Sequence, residues 1–167
     1  SFSFFFLLFA KHGYAHARLD KQLQKKSIEK RYYALVKGDH FLEPQGEIIA
    51  PIARDVDSII TRRVHKSGKY AHTSYRLVGD YGRVKLVDIN LHTVRTHQIR
   101  VHFAHLGLPL LGDDLYGGSL DYGIERQALH CHRLAFVDPF TKKEMVHASS
   151  LTDDFETVIM NLQTKKD

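Results

Sequence analysis

The chain opens with ten almost uninterrupted apolar residues, Ser1 to Ala10 (S-F-S-F-F-F-L-L-F-A). That run is too short to span a bilayer, lacks a basic flank ahead of it and a small-residue cleavage site behind it, and predicts a strand buried on both faces. After Gly13, residues Ala15, Leu19 and Leu23 recur every fourth position with Lys21, Lys25 and Lys26 on other faces, the pattern of an amphipathic helix. Tyr32-Tyr33-Ala34-Leu35-Val36 predicts a buried strand closed by Gly38-Asp39, and Glu47 to Ala53 a second, between Gly46 and an Arg54-Asp55 turn. Residues 54–72 are basic and aperiodic, a solvent-facing strand pair or loop. Alternation of apolar and polar positions over residues 73–91, interrupted at D-Y-G, predicts a β-hairpin. Thr96 as N-cap and Gly107 just past the end frame a helix over 97–106, carrying Ile99, Phe103 and Leu106 on one side. A turn-rich stretch follows, L-P-L-L-G-D-D-L-Y-G-G, in which Asp113 and Asp114 read as turn and capping residues. A strand over Ala128 to Val137 and a terminal helix over Asp153 to Leu162 complete an α+β order in one domain.

Charge adds a direction to this picture. Twenty-four Lys and Arg against nineteen Asp and Glu, with a pI near 9.3, favour an anionic partner, nucleic acid first. One cysteine, Cys131, excludes an internal disulfide and a cysteine-based zinc finger and fits a reducing, cytoplasmic setting. The fully apolar start without a preceding Met reads as a chain beginning partway through a domain.

The densest polar string is His92-Thr93-Val94-Arg95-Thr96-His97-Gln98-Ile99-Arg100, where a strand runs into a helix. Free amides, the helix dipole and two arginines suit a phosphate or carboxylate there; an ordinary capped helix with solvated arginines is the alternative. Twelve histidines raise a metal, but their spacings match no H-E-x-x-H motif and no carboxylate pair accompanies them, so no metal is expected. No phosphate-binding Gly loop and no G-x-S-x-G nucleophile elbow occur. A histidine acid–base pair such as His97 and His102 would make a ribonuclease.

T-V-R-T-H-Q-I-R-V-H-F-A-H-L-G-L-P-L-L-G-D-D-L-Y-G resembles the RluA-type family of RNA pseudouridine synthases, with its T-G-R-x-H-Q-I-R-x-H and G-x-P-(I/L)-x-G-D-x-x-Y-G. K-R-Y-Y-A-L-V-K-G (30–38), G-E-I-I-A-P-I-A-R (46–54), S-G-K-Y-A-H-T-S-Y (67–75) and A-L-H-C-H-R-L-A-F-V-D-P-F (128–140) continue the match in order, over residues 6 to 160. The resemblance implies an α+β fold with a mixed, mostly antiparallel central sheet and flanking helices, incomplete at the N-terminus and without any upstream RNA-binding domain. It implies isomerisation of uridine to pseudouridine in structured ribosomal or transfer RNA by an Asp nucleophile, with no cofactor or metal.

In the family that Asp lies in H-R-L-D-x-x-T-S-G, directly before a strand like Leu7-Leu8-Phe9-Ala10-Lys11. Counting back places it just ahead of Ser1; Arg18-Leu19-Asp20 lacks the T-S-G sequel. Carried over by position, Tyr32 resembles the tyrosine that packs on the target uracil and serves as base, and Arg100 the arginine that pairs with the Asp. Arg95, His97 and Gln98 fall in the same motif and would line the RNA-facing edge, with Arg62, Arg63, Lys66 and Lys69 contacting phosphate. Val94 stands where the family usually has Gly, which questions a tight backbone approach there. The expected protein is a cytoplasmic monomer free of membrane; the alternative is a noncatalytic RNA-binding remnant.

Overall fold

The computed structural model describes residues 8, 10–25 and 27–165. The strand expected over Ser1 to Ala10 falls, but for Leu8 and Ala10, outside them. Helix α1 (Gly13–Gln24) leads to β1 (Glu29–Lys37), β2 (Gln45–Ile49), β3 (Ile52–Arg54), β4 (Arg62–Val64), and the hairpin β5 (His72–Tyr81) and β6 (Val84–Leu91). Helix α2 (Gln98–His105), a single 3-10 turn at Asp114–Tyr116, β7 (Leu129–Val137), β8 (Glu144–Ala148) and α3 (Asp153–Thr164) follow.

Among the described residues six strands form one sheet in the order β2-β5-β6-β1-β7-β8, with β3 and β4 as a separate pair. Every strand pair among the described residues is antiparallel, so the expected sheet is present and its parallel part is not seen there. Alternation along β1 sorts the core. Tyr32, Ala34 and Val36 face a cluster closed by Ile99 and Phe103 of α2 with Leu108 and Leu110. Tyr33 and Leu35 face the other cluster, closed by Phe155 and Val158 of α3. Burying these aliphatic and aromatic side chains at about 1.5–3 kcal/mol each is what fixes both helices to the sheet.

Four expectations need correcting. The single strand expected over Glu47 to Ala53 is two, because Pro51 cannot donate to a ladder: β2 pairs with β5, and after Pro51 the chain leaves the sheet to pair as β3 with β4. Thr96 is not the N-cap of α2. The helix starts after His97, whose φ of 57° is left-handed, and no side chain caps it. Asp113 does stand in the turn, at the N-cap position of the 3-10 segment, but its side chain caps nothing there and the residue is 2% exposed. Finally, β8 has no counterpart among the expected elements, since E-M-V-H-A is short, shows no alternation and is exposed throughout.

Candidate active site

The polar string between β6 and α2 folds around one amide. Gln98, 3% exposed, donates through Nε2 to the His72 carbonyl (3.0 Å) and Thr73 Oγ1 (2.9 Å). Its Oε1 accepts from Thr93 Oγ1 (2.9 Å) and the Arg95 amide (3.0 Å). All four of its hydrogen-bonding positions are satisfied internally, so Gln98 is the clasp that ties the loop 93–95 to β5, and the expected RNA-facing position is an interior one. His102 is equally enclosed: fully buried, with Nδ1 2.9 Å from Thr73 Oγ1 and Nε2 2.9 Å from the Ala50 carbonyl. Burial lowers its pKa below the usual 6.5. A ring with both nitrogens occupied inside the core cannot be half of a ribonuclease pair with His97.

Arg100 and Asp113 form the centre of the site. Arg100 Nε donates to Asp113 Oδ2 at 2.8 Å and Nη2 to Oδ1 at 2.7 Å, a two-pronged pair with side-chain exposures of 13% and 1%. The hydrogen bonds to Asp113 raise the Arg100 pKa still further, so the guanidinium is permanently charged. Its third nitrogen, Nη1, donates no hydrogen bond among the described residues. The guanidinium also lies over the Tyr116 ring, 4.8 Å from its centroid.

Tyr116 gathers three elements. Its hydroxyl accepts the backbone N–H of Arg62 on β4 at 3.0 Å and lies 2.7 Å from His97 Nδ1. Burial and the nearby Arg100 and Arg62 charges lower the His97 pKa, leaving it neutral near pH 7. Asp113 and Tyr116 thus couple G-D-D-L-Y-G to both H-Q-I-R and the β3–β4 hairpin. The sequence reading assigned neither role; the signal available was their place in one motif with Arg100.

Tyr32 lies on β1 between Ile89 of β6 and Cys131 of β7 in register, on the side of the sheet that α2 covers. Burial, with a smaller contribution from Cys131, pushes its phenol up to about 12. Beside α2, a groove of about 470 Å³ runs between the hairpin and the loop, lined by Arg54, Arg62, Lys69, Val94, Arg95 and Thr96 among others. Arg95 Nε is anchored on the Tyr70 carbonyl at 2.9 Å. Arg62 Nη1 is spent on the carbonyls of residues 59–61. Arg63 and Lys66 sit on or just after β4, outside that lining. Val94 is exposed with no left-handed φ, so its side chain strains nothing there. The two arginines of the string therefore serve different places, Arg100 the buried pair and Arg95 the groove.

Two polar groups occupy the opposite face. Asp88 receives Arg31 (2.8 Å), Arg76 (3.5 Å) and His132 (2.9 Å). Glu47, His72 and His92 bring ligand atoms within 4.8 Å of one another, the one such group among the described residues. The two imidazoles stack with centroids 4.1 Å apart, so their lone pairs run side by side and both rings would have to turn to share an ion.

Comparison with known proteins gives this arrangement a context. Residues 6–105 match the family model for RNA pseudouridylate synthase. An uncharacterized RNA pseudouridine synthase, YhcT of Bacillus subtilis (strain 168), is 40% identical over 154 residues, 91% of this chain and 50% of that protein. Ribosomal large subunit pseudouridine synthase D of Haemophilus influenzae is 35% identical over 162 residues, 89% of this chain and 49% of that protein. The chain spans about half the length of these relatives. Among solved structures, human RNA pseudouridylate synthase domain containing 1 superposes with a TM-score of 0.68 at 24% identity, covering 92% of this chain and 73% of that one. With the matched model extending over more than half of its length, the chain belongs to the RNA pseudouridylate synthase family.

Proposed function

We propose that the chain forms the catalytic part of an enzyme that isomerises uridine to pseudouridine in folded RNA. The observation that carries this reading is Arg100, held by Asp113 with one nitrogen left over, on the same side of the sheet as Tyr32 and beside a cationic groove. An immobilised guanidinium keeps a nucleophilic carboxylate ionised and aimed. Tyr32, neutral at physiological pH, offers a ring for the uracil to stack on; as a base it would need a cation brought against it. Arg95 and Lys69 supply phosphate contacts, while Gln98 and His97 hold the loop and Tyr116. A uridine in a stem must leave the stack to reach such a site, at a cost of a few kcal/mol that groove contacts offset.

The nucleophile is proposed to come from chain ahead of Ser1. Asp20 lies exposed on α1 facing His16, and Asp113 is sealed against Arg100, so neither is placed for attack. By this reading the 167 residues alone bind RNA without converting it. Ribosomal RNA is the favoured substrate, because ribosomal large subunit synthases are among the relatives; transfer RNA is the alternative, and a cytoplasmic monomer the expected form. No described helix is long and apolar enough to cross a membrane. The test is release of tritium from 5-tritiated uridine in bulk ribosomal and transfer RNA, by this chain and by one extended upstream through an H-R-L-D segment. Release only with the extension is expected; release by neither overturns the reading, and release by the short chain overturns the upstream nucleophile.

A further inference from the structure

The β3–β4 connection, residues 55–61 (D-V-D-S-I-I-T), is built inside out. Three of its four polar side chains, Asp55, Ser58 and Thr61, are consumed within the loop. Asp55 Oδ1 accepts the Asp57 amide and Oδ2 the Thr61 hydroxyl, which holds the Asp55 carboxyl below its usual pKa. Ser58 Oγ accepts the amides of Ile60 and Thr61, both at 3.1 Å. The Asp55 amide closes on the Thr61 carbonyl at 3.1 Å, and Arg62 ties down the carbonyls of Ile59, Ile60 and Thr61. What the loop turns outward is aliphatic: Val56, Ile59 and Ile60 are 73%, 83% and 60% exposed. Scattered exposed aliphatics are ordinary, but three on one hydrogen-bonded tip form a surface held ready for contact.

The surroundings identify the chemistry of the partner. Arg54, Arg62 and Arg63 stand on the two strands that carry the tip, and Lys66 and Lys69 lie at the hairpin's other end, where Lys69 bridges to Ile52; the acidic residues of the loop are Asp55, spent inside it, and Asp57. The groove lined by Arg54, Lys69 and Arg95 runs along the hairpin, and the Arg62 amide joins β4 to Tyr116 and so to Arg100. An acidic polymer with flat apolar faces satisfies both features: phosphates meet the cations and bases meet the aliphatics. Apolar side chains wedged beside unstacked bases are a known way to hold a nucleic acid in a bent or opened form. A protein partner would satisfy the apolar tip but leave the cationic flank unexplained.

We propose that the β3–β4 tip is an RNA wedge, in which Val56, Ile59 and Ile60 pack on unstacked bases of the RNA whose phosphates lie in the adjoining groove. This rests on the RNA-modifying reading above. Because the loop is already locked, little conformational freedom is lost when RNA docks.

The experiment measures binding of the chain to unmodified transfer RNA and large-subunit ribosomal RNA transcripts across a salt series. The comparison sets Ile59→Ala with Ile60→Ala against Lys66→Ala with Lys69→Ala. A wedge makes apolar contacts and releases no counterions, so the isoleucine variant should bind about tenfold more weakly with an unchanged salt slope. The lysine variant should lower that slope by about one for each phosphate it no longer neutralises. Both should melt with the wild type, since the altered side chains are exposed. Wild-type affinity in the isoleucine variant overturns the wedge, as does a change in its oligomeric state with RNA affinity intact, which would assign the tip to a protein. Failure of the wild type to bind either RNA would instead overturn the parent reading.

Discussion

The Arg100–Asp113 pair gives the sharpest energetic prediction. Asp113→Ala removes a carboxylate that is 1% exposed from a guanidinium that is 13% exposed, together with hydrogen bonds of 2.8 and 2.7 Å. The charge left behind has water on little of its surface. Stranding one member of a buried pair costs about 3–5 kcal/mol, against about 0–1 kcal/mol for a surface pair. Asp113→Asn keeps one acceptor and turns an amide N–H₂ toward the guanidinium, losing about 1.5–3 kcal/mol, the value of one charge-assisted bond. Arg100→Met combined with Asp113→Leu removes both charges and should recover most of the loss. Urea unfolding followed by circular dichroism, with an unchanged m-value, reads all three variants. A loss below about 1 kcal/mol for Asp113→Ala would show the pair to be solvated. It would refute the claim that Asp113 immobilises Arg100.

Three further outcomes follow from the same geometry. His97 and His102 both have pKa values below 6.5 in the folded chain, so stability is complete above 6.5 and falls as the pH drops below it, where the unfolded chain takes up protons first. Melting temperatures between pH 8 and 5 should show that fall, and His102→Asn should flatten it; an identical slope in the variant would contradict it. Tyr32 runs the other way, with a phenol raised to about 12. Stability should be lost between pH 10 and 12, and Tyr32→Phe should remove the corresponding late step from the 295 nm phenolate titration. Gln98→Leu strands the Arg95 amide and the Thr93 hydroxyl proton, while the His72 carbonyl keeps the His92 amide, which should cost at least about 2 kcal/mol by thermal unfolding; a neutral change would mean that loop 93–95 holds itself.

Legibility from the sequence followed the range of the interactions. The β5–β6 hairpin, β1, β7 and helices α1, α2 and α3 announce themselves through local periodicity and terminating glycines, and each is present near its expected bounds. Strand β8 is held by its ladder to β7 rather than by its own pattern, and the division of β2 from β3 hinges on the one missing amide of Pro51. Within the site, the H-Q-I-R string located the right place but not the division of labour. Gln98 and His102 are polar residues that belong to the interior, and only their partners on β5 and at Ala50 reveal it. Asp113 reads as a turn residue and nothing more in the sequence, because its ion-pair partner lies thirteen positions earlier. The outward-facing isoleucines at 59 and 60 read simply as loop, since a sequence does not say which way a side chain points.

The most direct test of the central claim, that Tyr32 and a guanidinium fixed by Asp113 serve uridine isomerisation, is tritium release from 5-tritiated uridine in ribosomal RNA. It should be run on the upstream-extended chain beside its Tyr32→Phe and Arg100→Met variants. The account predicts release by the extended wild type and a loss of at least about a hundredfold in each variant, with RNA binding retained. Release at the wild-type rate by either variant would contradict it.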